Sequence, residues 1–247
     1  MVADSDEQDQ ELRRLRELLQ FRESFLAVIA HELRNPLGPI LLSVEALLDE
    51  LMSEPLEKAS LVTRVTGLRG YVERLRRDLD RLLDFSRLRA GMMDLRPELA
   101  DLSLLVRQTL AEMRPLIEHS RCEVRLEPLQ PQPQTGFWDR MRLEQVIWNL
   151  VSNALKYGAG APVDVRISGD EDTATFSVAD HGIGIAPEEQ DAVFRKFERL
   201  SAHTKHTGFG IGLWLVKRNI DAMGGHIALA SQVGAGTTIA VTIPRSR

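Results

Sequence analysis

An all-α helical hairpin followed by an α+β domain is the fold class that this sequence predicts, and three observations carry it. Apolar residues in the first half recur at alternating steps of three and four, the period of a helical seam. After Arg96-Pro97 that pattern gives way to short alternating segments, the period of half-buried strands. Stretches with helical periodicity lie between those segments.

The first helix carries Leu12, Leu15, Leu19, Leu26, Ile29, Leu33, Ile40 and Leu47, with Arg22, Pro36 and Ser43 interrupting the stripe. The second is cleaner: Leu61, Val65, Leu68, Val72, Leu75, Leu79 and Leu82 keep the alternation without a gap, although Gly67 and Gly70 weaken it. Ser53-Glu54-Pro55 between them reads as a stop and restart. Two long amphipathic helices joined so closely form an antiparallel hairpin. A hairpin alone leaves much apolar surface open, so the sequence predicts a homodimer with a four-helix bundle. A monomeric hairpin packed on the following domain is the alternative. The resulting division is a helical linker over 1–22, a dimerisation hairpin over 23–96 and a second domain over 97–247.

In the second domain strands are expected at 122–128, 162–169, 174–180, 226–231 and 237–244, with helices at 103–118, 140–157, 188–197 and 212–223. The Pro- and Gln-rich stretch from Glu127 to Gly136 reads as a surface loop. There are no internal repeats.

The chain has 247 residues, 43% of them hydrophobic and 27% charged, as in a soluble globular protein. A formal net charge of −5 argues against nucleic acid as the main partner, since phosphate backbones call for a basic surface. One cysteine, Cys122, leaves no intrachain disulfide and no cysteine metal cluster. That suits a reducing, cytoplasmic compartment. No apolar run is long enough to span a membrane, and the acidic start MVADSDEQDQ is unlike a signal peptide. Any membrane anchor is therefore expected outside this chain.

Three segments of the second domain carry chemistry. In RLEQVIWNLVSNALKYG (142–158), Asn149 and Asn153 are four apart and share a helical face, with Lys156 on or near it. Amide oxygens suit a hard cation and an ammonium suits phosphate oxygens; alone, the pair reads more readily as a solvated polar face. ADHGIGI (179–185) places an acid before two glycines at a strand end. HTGFGIGLWLVKRN (206–219) alternates Gly208, Gly210 and Gly212 before an apolar helix, where amide donors and the dipole favour phosphate. It is their order that sharpens the reading: the asparagine helix, the acid-glycine strand end, then the glycine loop into a helix. It is neither a doubly wound nucleotide fingerprint nor a P-loop.

Together these segments resemble the transmitter region of a two-component sensor histidine kinase. HELRNPL resembles the family's H-box, NLVSNALKYG its N-box, DHGIGI its first glycine box, VFRKFERL its phenylalanine box and GFGIGL its second glycine box, in family order over residues 23–244. The resemblance implies a dimerisation and histidine-phosphotransfer hairpin followed by an ATP-binding α+β sandwich of the Bergerat (GHKL) type. It implies ATP and Mg²⁺ as cofactors and a response-regulator receiver domain as partner.

By the resemblance, Asp180 accepts a hydrogen bond from the adenine amine, Asn153 ligates Mg²⁺, and Asn149 and Lys156 contact phosphate oxygens or their water shell. Tyr157 lines the pocket. Gly182 and Gly184 allow close approach near base and sugar, and Gly208, Gly210 and Gly212 serve the phosphates. The segment between Phe197 and Gly208 would form a lid, anchored by Phe194 and Phe197. Related ATPases have a glutamate where this chain has Asn149, and an amide cannot act as that base. Arg199 is the candidate for stabilising the transferring phosphoryl group.

His31 is the expected phosphoacceptor, with Glu32 as orienting partner and general base. It falls at a heptad f position, away from the seam. Asn35, one turn on, is the candidate for orienting water in dephosphorylation of a partner. Pro36 and Pro39 withhold hydrogen bonds from the carbonyls of Glu32 and Asn35, so the turn beside His31 is expected to bend or loosen as a hinge. The competing readings are another Bergerat-type ATPase or serine kinase, and a non-catalytic dimeric scaffold.

Overall fold

The computed structural model describes residues 36–52, 58–89, 94–127, 133–195 and 210–246. The chain divides between Ser86 and Arg87 into two compact units.

The first unit is helical. Helix α1 covers residues 36–51 and runs through Gly38 and Pro39 without a break. The rest of the expected hinge, residues 31–35, lies outside the described residues. Helix α2 spans Lys58–Arg89, and an ion pair between Glu50 and Arg64 ties it to α1. Each helix buries only part of its apolar surface. On α2, Leu61, Leu68 and Leu75 are half-buried, while Val65, Val72 and Leu79 remain 53%, 50% and 42% exposed. On α1, Leu37, Leu41, Val44, Leu48 and Leu51 are exposed at steps of four and three, a second stripe beside half-buried Ile40 and Leu47.

The second unit is a mixed sheet with helices packed on it. It contains β1 (Glu98–Asp101), α3 (Leu102–Glu112), α4 (Arg114–Ser120), β2 (Val124–Leu126), β3 (Thr135–Trp138), α5 (Arg140–Tyr157), β4 (Val163–Gly169), β5 (Thr173–Asp180), α6 (Gly212–Ala222), β6 (His226–Gln232) and β7 (Gly236–Pro244). The main sheet has the order β2-β4-β5-β7-β6, with β2 parallel to β4 and the other neighbours antiparallel. Residues alternate along β5, and Ala174, Phe176 and Val178 point into the core with Val165, Ile167, Val241 and Ile243. The apolar faces of α3, α5 and α6 cover that side, through Leu105, Val106, Ile147, Leu150 and Val216 among others.

All five expected strands form, and α5 and α6 fall where the 3.6 period put them. Three features differ. The expected helix over 103–118 splits at Met113, because Pro115 has no N–H for the carbonyl of Ala111 and instead opens α4 in its first turn. The expected loop up to Gly136 ends early: Thr135–Trp138 pairs antiparallel with Glu98–Asp101 in a two-stranded sheet. The expected helix over 188–197 is, over its described residues up to Arg195, two single 3₁₀ turns, Pro187–Glu189 and Ala192–Phe194, with only Val193 in those turns fully buried. Between the turns the Gln190 amide bonds the carbonyls of Ile185 and Ser231, which anchors the segment to the sheet.

One carboxylate joins the entry strand to the central helix. Asp139 caps α5 by accepting from the Arg142 N–H (3.1 Å) and also accepts the Arg96 N–H (3.0 Å).

Candidate nucleotide-binding site

Asp180 owes its burial to register. It continues the inward row Ala174, Phe176, Val178, so the alternation of β5 carries a carboxylate to the rim of an apolar core. The Gly182 N–H donates to its Oδ1 at 3.0 Å. Burial pushes its pKa above the usual carboxylate range, against the pull of hydrogen bonds from the Gly182 and Thr237 amides and of nearby His181. It is thus a buried acceptor with little solvent, suited to a donor on an uncharged ring.

Glycines let the surrounding backbone close on this acid. A side chain at Gly182 would run into the Tyr157 carbonyl oxygen, and one at Gly236 (φ +101°) into that of Asp180. The Ile183 N–H donates to Tyr157 O at 3.3 Å. The end of α5, the end of β5 and the start of β7 therefore meet around Asp180. The Lys156 ammonium lies 4.9 Å from the centre of the Tyr157 ring, a cation–π contact.

The polar face of α5 meets α6 at a second point. A Cβ on Gly212 would stand 3.4 Å from Asn149 Oδ1 and 4.0 Å from Asn153 Nδ2. Asn149 is 2% exposed, and its Nδ2 has no hydrogen-bond partner among the described residues. Gly212 opens α6, whose first turn has no side-chain cap. The backbone donors of an uncapped first turn, the positive end of the dipole and a buried amide with no partner among the described residues together favour an anionic oxygen ligand. Among the described residues no group of three His, Cys, Asp or Glu side chains could hold a metal. A Mg²⁺ here fits the Asn153 amide only if phosphate oxygens and water complete its shell, which is how this ion usually binds.

The reading of the sequence missed the far wall. Ser231 Oγ accepts the Ile185 N–H (2.8 Å), donates to Gly236 O (2.9 Å) and contacts Thr237 Oγ1 (2.8 Å). Gly184, at φ +68°, packs its α-carbon against the Gln232 carbonyl. The signal for Thr237 lay in GAGTT: a residue placed directly after a glycine that needs positive φ, beside the acid.

The fold thus gathers Asn149, Asn153, Lys156, Tyr157, Asp180, Gly182 and Gly212 around the end of α5, with Gly184 on the adjoining loop and Gly210 (φ +65°) leading into α6. His31, Glu32, Asn35, Phe197, Arg199 and Gly208 lie outside the described residues. Phe194 is half-buried in the second 3₁₀ turn, beside buried Val193.

Residues 138–247 match the family model described as histidine kinase-, DNA gyrase B- and HSP90-like ATPase, and residues 21–91 match the His Kinase A phospho-acceptor domain. The autoinducer 2 sensor kinase/phosphatase LuxQ of Vibrio parahaemolyticus is 31% identical over 91% of this chain, which spans 27% of that protein. The circadian input-output histidine kinase CikA of Synechococcus elongatus is 33% identical over 89% of this chain, which spans 29% of it. Among solved structures, full-length ShkA in complex with AMPPNP aligns with a TM-score of 0.62 at 30% identity, over 89% of this chain and 45% of that one. The histidine kinase AdeS of Acinetobacter baumannii shares the fold, with a TM-score of 0.60 at 23% identity over 87% of this chain and 98% of its own.

Proposed function

We propose, from the premise that this chain belongs to the sensor histidine kinases as the transmitter region of a two-component sensor kinase, that it binds MgATP and phosphorylates its own His31. The phosphoryl group then passes to an aspartate of a response-regulator receiver domain. The observation that carries this reading is the buried Asn149 amide, without a partner among the described residues, facing Gly212 at the uncapped start of α6, across the end of α5 from buried Asp180. One end of that arrangement suits phosphate and the other suits a purine amine.

Residues 97–247 act as the catalytic ATP-binding domain, residues 23–96 as the dimerisation and phosphotransfer hairpin, and residues 1–22 as a helical linker. The exposed stripes on α1 and α2 support a homodimer through the hairpin: a second copy would cover Leu41, Leu48, Val65 and Val72. No helix among the described residues is long and apolar enough to cross a membrane. A cytoplasmic location, as part of a longer sensor, is the reading that fits.

In the reaction a His31 ring nitrogen forms the N–P bond as the bridging P–O bond to the β-phosphate breaks, and ADP departs with that electron pair. Glu32 holds the proton on the other ring nitrogen, so the attacking one keeps its lone pair. Asp180 fixes the base, while Lys156, Asn149 and the α6 amides fix the phosphates and leave the terminal one free to transfer. Mg²⁺ held by Asn153 would neutralise charge on the phosphate oxygens. An amide at Asn149 cannot deprotonate water, which favours a side chain over water as acceptor. Arg199 stabilises the transferring group, and Asn35 orients water for dephosphorylation of the regulator, an activity that the name of the Vibrio relative includes.

Incubation with γ-labelled ATP and Mg²⁺ tests this. The expected product is a labelled chain whose label is lost in acid, survives base and is absent from His31→Ala. Base-labile label would identify a serine kinase, and free phosphate without labelled protein an ATPase.

A further inference from the structure

We propose that Asn219 and Gln145 are positioning residues of the nucleotide site, whose side-chain hydrogen bond sets the register of α6 on α5 and so holds Gly212 against Asn149 and Asn153. The inference rests on the reading of that site as ATP-binding.

Asn219 lies near the end of α6 and is fully buried (0% exposed), and its Nδ2 donates to Gln145 Oε1 at 2.8 Å. On α5, Gln145, Asn149 and Asn153 follow each other at steps of four and form one polar row. On α6, Gly212 and Asn219 are seven residues, two turns, apart. Gly212 adjoins Asn149 and Asn153 while Asn219 adjoins Gln145, so the two helices run antiparallel and meet at both ends of the row.

The remaining buried side chains of α6, Leu215, Val216 and Ile220, are aliphatic. Aliphatic contacts are non-directional and tolerate a slide of one helix along another. A hydrogen bond does not. A slip of one residue is about 1.5 Å, enough to break a 2.8 Å contact. The same slip would carry Gly212, and the amide donors that start there, off the asparagine pair.

Stability does not explain the polar pair. Asn219 Oδ1 is buried with no partner among the described residues, and Gln145 Oε1 also accepts from Arg142 Nη1 at 3.4 Å without Asn219. A leucine at position 219 would remove an unsatisfied atom and leave none behind on Gln145 Oε1. What it would lose is direction, as when a single buried polar pair specifies register in a coiled coil.

The test is Asn219→Leu in the full chain, with AMPPNP and Mg²⁺ as the probe. The expected result is an unfolding temperature equal to or above wild type, AMPPNP affinity and the KM for ATP worse by about tenfold, and kcat at saturating ATP within about twofold. The exchange pair Gln145→Asn with Asn219→Gln restores the affinity. Should the leucine variant fail to fold, Asn219→Ser, too short to reach Gln145, gives the same affinity loss. Wild-type affinity in a folded Asn219→Leu or Asn219→Ser protein, or an exchange pair no tighter than Asn219→Leu, overturns the inference. A wild-type chain that binds no AMPPNP overturns the reading of the site itself, a different outcome from either.

Discussion

Val65, Val72 and Leu79 on α2 stay about half exposed, whereas Val163, Val165 and Ile167 on β4 are sealed, although all six are spaced for burial by the period of their own element. A helix in a two-helix hairpin has one neighbour and covers one stripe. A strand inside a sheet has a strand on either side and a layer of helices above, so its inward face closes within the chain. The two units are therefore unfinished in different ways. The hairpin leaves an apolar surface open, whereas the α+β unit has a closed apolar core and, at the nucleotide site, a buried Asn149 amide with no partner among the described residues beside a first turn of α6 that no side chain caps. The first deficit calls for protein and the second for an anionic ligand.

The largest effect should come from opening the closed unit. Phe176→Ala removes a fully buried ring at the centre of β5 and should cost about 3–5 kcal/mol. In a thermal scan with two transitions, only that of the α+β unit should move. A concerted fall of both would show that the two units do not close independently.

Charging the open unit tests the other side. Val65→Asp with Val72→Asp leaves the hairpin's half-buried Leu61, Leu68 and Leu75 untouched but buries two carboxylates per protomer in any dimer. Dimer affinity by light scattering should fall at least about 100-fold, about 2.7 kcal/mol. Unchanged mass would mean that a surface other than this stripe joins the copies.

At the ligand site the expected signs of stability and binding are opposite. Because burial raises the Asp180 pKa, the folded state favours its neutral form. Its contribution is most favourable at low pH and is lost as pH rises through the folded-state pKa. Asp180→Asn removes that loss, so the variant should unfold no earlier than wild type at pH 7–8, with the difference shrinking as pH falls. Its ATP affinity should nevertheless drop about 30-fold, about 2 kcal/mol, because an amide turned to accept the Gly182 N–H offers no anion to the base. A variant that binds normally would remove Asp180 from the base pocket.

The same contrast governs what could be read in the sequence. Period alone located α5, α6 and the four strands β4 to β7, because a run of seven or more residues repeats its pattern often enough to be seen, and it located β2, only three residues long, inside the longer alternation of CEVRLEP. β1 and β3 have four residues and one buried side chain each, too few for alternation to register, and the Pro- and Gln-rich run ending at Gly136 reads as a loop. Pro115 is a local stop inside the expected helix over 103–118, and it divides α3 from α4. At the site, local signals were legible: an acid at a strand end, asparagines four apart, glycines before a helix. Non-local pairs were not. Nothing adjacent to Asn219 announces Gln145, 74 positions away, and Ser231 acquires its role only where β6, β7 and the glycine loop converge.

The smallest effect separates a helix that is merely open from one that is covered by a second copy. Gly70 sits in the middle of α2, and a Cβ there meets nothing within 4 Å in the single chain. Gly70→Ala should therefore stabilise the helical transition by about 1 kcal/mol through propensity alone. If Gly70 lies where a partner helix packs close, the added methyl should instead weaken the dimer while leaving α2 more helical by circular dichroism. Since Gly70 is two residues before Val72, it lies on the other side of the helix from the exposed stripe. The stabilising outcome, with dimer affinity unchanged, is the one this placement requires.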